Sequence, residues 1–379
     1  MKRLCCITLC ILLALGPICA RAAGPEVEAK SAILLDGATG TILCEQNAHE
    51  ALAPASVTKV MTLLLIMEAI DSGQLQWGDM VTTSEAAAAK GGSQVYLKVG
   101  ETMSVTDMVK SIAVSSANDC ACAMAEHLCG SESAFVTKMN ERAQALGMED
   151  THFVNCTGLD DSPEAAEHRT SAHDIALMSR ELLMGHPEIQ KFTTIWMDTI
   201  RGGSFGLSNT NKLIRFYPGA TGLKTGFTRS AGYCLSATAC REGLPLIAVV
   251  MGCETSPKRQ AACKQLLDYG FANYALILPE LPEEPRVPVK LGTAEQVTLI
   301  PGDTEKLLIE KNQKNLISQQ VVLEESVTAP VSQGQRLGTL TVRAGDRILS
   351  EIPLIAETPV EKLSFWQIFT RLLGGQGHS

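Results

Sequence analysis

At 379 residues the chain is long enough for two domains and a sizeable core. Its formal net charge of −9 argues against nucleic acid or a bulk anionic surface as the main partner. The first 22 residues have the layout of an export signal: Lys2-Arg3, an apolar stretch from Leu4 to Cys19, then Ala20-Arg21-Ala22. Cleavage after Ala22 satisfies the small-residue rule, with Ala23 a near competitor. The apolar stretch is short for a membrane span, and Ile18 before Cys19 breaks a lipid-attachment pattern. An exported protein, outside the cytoplasmic membrane, is expected.

The mature chain opens with a hairpin, Ala32–Leu35 and Thr41–Cys44 around Asp36-Gly37-Ala38-Thr39-Gly40. Next comes Ser56-Val57-Thr58-Lys59, leading into the apolar run Val60–Met67, which predicts the start of a buried helix. Residues three apart share a helix face, so Lys59 comes round beside Ser56. A serine hydroxyl needs a base to become a nucleophile, and a lysine made neutral by burial can serve. Free N–H groups at the helix start suit developing negative charge. Alone, the pattern equally describes an N-cap serine and a solvated lysine.

Ser116-Ala117-Asn118 falls between the helix-like stretches Met108–Val114 and Cys120–Leu128, so a loop projecting into a cleft is expected. Ser116 can relay a proton, and Asn118 can hold Lys59 on one side and a substrate amide on the other. Lys224-Thr225-Gly226 precedes a strand, Tyr233–Ala239, paired through the turn Arg241-Glu242-Gly243 with Leu246–Met251. A strand beside the nucleophile can bind an extended peptide. Lys224 and Thr225 would offer a cation and a hydroxyl to a carboxylate, and Gly226 permits close backbone approach. As ordinary turns, neither motif means much; the set of three in this order does.

Helices dominate from Ser56 to about His186, strands return from about Ile214 to Cys253, and Lys264–Tyr274 reads as a closing helix. Strands at both ends with helices inserted imply an antiparallel sheet with a helical lobe, an α+β fold. The catalytic domain is expected over residues 23–278, with a linker through Pro279–Pro285. Short alternating strands from Val287 to about Ile355 give a small all-β domain, residues 286–357, with no acid/base cluster. Residues 358–379 form a tail: Thr358 as N-cap, Pro359 next and Glu361 predict an amphipathic helix bearing Leu363, Phe365, Trp366, Ile368, Phe369, Leu372 and Leu373. Residues 358–373 would lie on a membrane surface, or dock on the chain's own β domain. The helix is too short to span.

The chain resembles the low-molecular-mass D-alanyl-D-alanine carboxypeptidases, penicillin-binding proteins of the type-5 group (peptidase family S11). The three motifs carry the resemblance, with Pro54-Ala55-Ser56, the Gly92–Glu101 segment, Phe153-Val154-Asn155 and Thr157-Gly158-Leu159. It implies a transpeptidase domain like those of penicillin-binding proteins and serine β-lactamases. It also implies no cofactor, peptidoglycan stem peptides ending in D-Ala-D-Ala as substrate, and β-lactam antibiotics as covalent inhibitors. By the same resemblance Ser56 is the acylated nucleophile and Lys59 its base, with Ser116 and Asn118 serving proton relay and substrate. Lys224 would bind the terminal carboxylate, and the backbone N–H groups of Ser56 and Thr228 would form the oxyanion hole. Ala117 replaces the family's usual Gly, adding only a methyl group. Asn211 lies in a similar flanking segment and receives no role.

Three rivals share or lack this chemistry. A D,D-endopeptidase would use the same residues. A class A β-lactamase would carry a Glu-x-x-Leu-Asn segment, which does not occur here. A non-enzymatic wall-binding module would be free to lose Ser56 or Lys59. Nine cysteines remain after the leader, mostly within apolar runs, and are expected as buried thiols, a disulfide being the alternative. His168, His173 and Asp174 have no third ligand motif, so no metal site is expected.

Overall fold

The computed structural model describes residues 24–281 and 283–374. The expected leader and its cleavage site lie outside the described residues, as do residues 375–379 and the side chains of 371–374. A five-stranded antiparallel sheet comprises β1 (Ser31–Asp36), β2 (Ile42–Gln46), β3 (Ala220–Thr228), β4 (Gly232–Arg241) and β5 (Leu244–Cys253), in the order β2-β1-β5-β4-β3. Alternate residues point to opposite faces of a strand, and here both faces are buried. Ile33, Leu35, Ile247, Val249 and Met251 join a large core on one side; Ala32, Leu34, Leu246, Ala248 and Val250 join a second core on the other. That is why these strands read as continuous apolar runs. The β4–β5 turn is the expected one, with Glu242 at φ 50° and Gly243 at φ 78°, a two-residue turn of the twisted-hairpin kind.

The first face carries the helical lobe: α1 (Lys59–Asp71), α2 (Val105–Ser115), α3 (Asn118–Cys129), α4 (Glu132–Ala145) and α5 (Ala172–Gly185). Helix α1 is apolar on nearly every side and correspondingly buried, as a helix through the centre of a lobe must be. Serine caps start α2, α4 and α5, each Oγ accepting from the backbone N–H three residues on. The second face is covered by α6 (Ser256–Asn273), eight residues longer at its start than the sequence suggested. Thr255 caps it and Pro257 occupies its first turn, a start signal overlooked because the apolar residues begin later.

Two local expectations need correction. Ser56 is not in the α-helix proper; it sits in a 3-10 turn, Ala55–Thr58, and α1 begins at Lys59. Asn118 is not in a loop but is the first residue of α3, while Ser116 ends α2 in the left-handed conformation, φ 62°. The motif is thus a tight corner between helices. Ala117 takes φ −59° there, so no glycine is required.

The C-terminal part forms a six-stranded sheet built from Arg286–Lys290, Gln296–Pro301, Ile317–Leu323, Val327–Thr328, Arg336–Ala344 and Arg347–Ala356, around its own core. Tyr274–Ile277, read in part as helix, is a strand pairing with Leu307–Glu310, so the two parts are joined before the linker begins. The expected helix start at Thr358-Pro359 does not hold. Val360 is buried in the β core and exchanges hydrogen bonds of 2.9 Å with Val331, and Leu363 N donates to Leu291 O. Burial of Val360 outweighs the local capping pattern, and the β unit runs past residue 357. The helix is α7 (Phe365–Gly374), and Ser364 with Gln367 supplies its cap.

A short segment, Asn155–Leu159, lies across the start of α1. Thr62 Oγ1 donates to Cys156 O at 2.6 Å, and Asn155 Oδ1 accepts from the N–H groups of Thr157 and Gly158. Gly158 has φ 78°, and a Cβ there would stand 1.8 Å from Ala55 O. Gly158→Ala should therefore lose at least ~1–2 kcal/mol of stability from left-handed strain alone, and should displace the turn bearing Ser56. A melting temperature and Ser56 reactivity equal to the parent's would show that this segment yields freely.

Candidate active site

Ser56 follows Ala55, whose φ of 49° is a strained value for a residue with a side chain. The turn leaves Ser56 half-exposed while Val57, Thr58 and Lys59 are buried. Lys59 Nζ lies 3.0 Å from Ser56 Oγ and donates to Thr157 O at 2.8 Å. Burial lowers its pKa to about 7, against a smaller upward pull from Cys156 and Asp119. A substantial fraction of Lys59 is then a neutral amine near neutrality, with a lone pair free for the Ser56 proton. The support expected from Asn118 comes instead from the Thr157 carbonyl. No sequence pattern could have named a backbone oxygen 98 residues away.

Asn118 Nδ2 donates to Gly91 O at 2.7 Å, and Asn118 N donates to Ser93 O. Its Oδ1 and the Ser116 Oγ are buried with no protein partner. Buried polar atoms without partners are rare enough to mark places where a ligand is received. Asp119 fixes the neighbouring loop by accepting from the N–H groups of Val95 and Leu97. Thr210 N donates to Val114 O, and Thr225 Oγ1 donates to Thr210 Oγ1 at 2.7 Å, which ties the corner at Ser116 to β3.

Strand β3 is the edge of the sheet, and at Gly226 it runs against the nucleophile turn. A Cβ on Gly226 would meet Pro54 O at 2.7 Å and Ser56 N at 3.0 Å, so only glycine lets the strand come this close. Lys224 is buried, donates to Thr225 O at 2.8 Å, and has its pKa driven well down by burial and by the charges of Lys59 and Arg259. Thr228 is half-buried at the end of β3.

Arg259 on α6 was not anticipated. Its Nη1 donates to Gly226 O at 3.0 Å and to Cys234 O, while its Nε is buried without a partner. Asn211 holds Gly222 O at the start of β3. His168 does not face a ligand cluster: its Nε2 lies 2.8 Å from Thr58 Oγ1, its Nδ1 accepts from Val154 N, and burial lowers its pKa to about 4. It is a neutral strut under the nucleophile turn. His173 Nδ1 lies 3.2 Å from Asp174 Oδ1. Cys44 is buried; among the other described cysteines Cys120, Cys122, Cys156, Cys234, Cys253 and Cys263 are buried free thiols, Cys129 is half-buried and Cys240 exposed.

Since the neutral amine is the competent base, Ser56 acylation should rise with pH through an inflection near 7 and level off above it. The check is the rate of covalent labelling of Ser56 by an acylating lactam against pH. An inflection near the ordinary lysine value would mean that Lys59 stays charged and another group takes the proton.

Residues 19–255 match the family described as D-alanyl-D-alanine carboxypeptidase, and residues 284–362 match the penicillin-binding protein 5 C-terminal domain. The D-alanyl-D-alanine carboxypeptidase DacF of Bacillus subtilis (strain 168) is 41% identical over 353 residues, covering 92% of this chain and 90% of that protein. Penicillin-binding protein 5 from Haemophilus influenzae superposes with a TM-score of 0.74 at 29% identity, over 90% of this chain and 99% of that one. Penicillin-binding protein D2 from Listeria monocytogenes, solved in an ampicillin-bound form, gives 0.59 at 33% identity over 65% and 98% of the two chains. Both the N-terminal part and the appended β unit thus have counterparts, and the chain belongs to the serine-type D-alanyl-D-alanine carboxypeptidase family.

Proposed function

We propose that the chain removes the terminal D-alanine of peptidoglycan stem peptides through an acyl-enzyme on Ser56. The observation that carries this is Lys59: buried, 3.0 Å from Ser56 Oγ and with its pKa near 7. The stem peptide adds along the free edge of β3 by backbone pairing. Lys59 takes the Ser56 proton as Oγ bonds to the carbonyl carbon of the penultimate D-alanine. The N–H groups of Ser56 and Thr228 hold the oxygen that becomes negative. The carbon–nitrogen bond then breaks, and the proton returns to the leaving D-alanine amine through Ser116. Water attacks the ester by the reverse route, with Lys59 again as base, and frees Ser56.

Asn118 Oδ1 is suited to accept from the substrate amide N–H. Lys224, whose protonation burial disfavours, would be held as a cation by a terminal carboxylate, with the Thr225 hydroxyl beside it. A penicillin presents the same carboxylate and a strained amide, which supports covalent inhibition of this chain as well. Incubated with a tripeptide ending in D-Ala-D-Ala, the parent should release D-alanine and Ser56→Ala should not. Amidating the terminal carboxylate should cost ~1.5–3 kcal/mol, or roughly ten- to hundredfold in turnover. Equal turnover of acid and amide would remove the carboxylate pocket, and activity in Ser56→Ala would remove the nucleophile.

The enzyme acts outside the cytoplasmic membrane in this reading, its tail resting on the membrane surface. Phe365, Trp366 and Phe369 support it: all three are exposed, with Phe365 at 74% and Trp366 at 71%, and their rings cluster on one side of α7. Such a face suits the headgroup boundary better than docking on the β unit, which would cover it. Among the described residues no helix is long and apolar enough to cross a membrane. Deleting residues 364–379 should abolish flotation with anionic lipid vesicles and leave soluble-peptide turnover and melting temperature unchanged. A truncated chain that still floats, or that unfolds, would place the tail elsewhere.

A further inference from the structure

Behind the reacting groups lies an ion pair that the mechanism does not use. Lys90 Nζ donates to Glu132 Oε2 at 2.6 Å, both side chains being about three-quarters buried. Glu132 is the first residue of α4, where the helix N-terminus favours its negative charge. Its other oxygen, Oε1, accepts from Cys156 N at 3.2 Å and lies 3.1 Å from Cys156 Sγ. Cys156 is thereby held from both ends, since its carbonyl accepts from Thr62 on α1. The next carbonyl, that of Thr157, is the acceptor for Lys59 Nζ.

The partner end leads to the second motif. Lys90 is followed by Gly91, whose carbonyl accepts from Asn118 Nδ2 at 2.7 Å. Gly92 packs so closely that a Cβ there would stand 2.8 Å from Asn118 Nδ2 and 3.2 Å from a methyl of Leu159. The backbone stretch that aims Asn118 and the stretch that aims Lys59 therefore meet, and one ion pair spans them.

We propose that Lys90 and Glu132 are positioning residues for acylation. Their ion pair locks the Gly91 and Thr157 carbonyls at a fixed separation, and with them the side chains of Asn118 and Lys59. A partly buried pair of this kind resists screening better than a surface one. Neither residue touches the reacting atoms, so the effect reaches the chemistry through Lys59 and falls chiefly on the rate of bond formation. This rests on the serine-peptidase reading above.

The test is stopped-flow acylation of the full mature chain by a chromogenic cephalosporin, resolving the binding constant Ks from the acylation rate k2. Mass spectrometry counts acylated Ser56, so that k2 is expressed per competent molecule. Lys90→Met and Glu132→Gln should each lower k2 by about 10- to 100-fold, a larger change than any that reaches Ks through Asn118. The double variant should be no slower than the worse single, because one interaction has been removed once. Lys90→Arg, which keeps the cation, should recover most of the rate. Unchanged k2 per acylated site, losses that multiply in the double variant, or a change confined to Ks would overturn the proposal. If Glu132→Gln fails to fold, the contrast between Lys90→Met and Lys90→Arg decides alone. Failure of the parent itself to acylate on Ser56 would instead strike the serine-peptidase reading.

Discussion

Burial makes an ammonium ion costly, and at Lys59 it brings the pKa down to about 7, so that a substantial fraction of the side chain is a neutral amine. The surrounding architecture serves to keep it dry. Helix α1 passes through the centre of the lobe, so its first residue is buried as deeply as its apolar ones. The Asn155–Leu159 segment closes over that end, with Gly158 pressed on the carbonyl of Ala55. The price is an exacting fit, because a small opening would admit water and restore the ordinary lysine.

A second constraint follows from the first. Burial and the charges of Lys59 and Arg259 make protonation of Lys224 harder. A buried lysine whose protonation is made this costly is a poor arrangement for stability and a good one for a ligand that brings its own negative charge. The approach of β3 is what assembles it. Gly226 allows the strand to lie against Ser56 N, and Arg259 holds the strand from behind through Gly226 O. Thr225 and Thr210 then couple it to the corner bearing Ser116.

The β unit contributes no group to this chemistry. Its attachment is nonetheless firm, through the pairing of Tyr274–Ile277 with Leu307–Glu310 and the bond from Lys311 Nζ to Phe271 O. It carries α7 after its last strand, with Val360 and Leu363 anchored to the β unit just before that helix begins.

The sequence by itself nominated the candidate reacting residues, because nucleophile, base and carboxylate-binding groups are side chains, and their types and spacing are legible wherever the fold puts them. Ser56, Lys59, Lys224 and Gly226 could be named in this way. It also determined the α+β order, since both-face burial leaves unbroken apolar runs and a central helix is apolar all round. Tertiary structure alone decided which groups aim them. The acceptor for Lys59 is the carbonyl of Thr157 and that for Asn118 is the carbonyl of Gly91, and every residue has a carbonyl. Arg259 meets a strand carbonyl 33 residues away and Lys90 meets a helix start 42 residues away, each from a segment that looks ordinary alone. The helix start misread at Thr358 has the same origin. A local capping pattern competed with burial of one valine in a core built from distant strands, and burial prevailed.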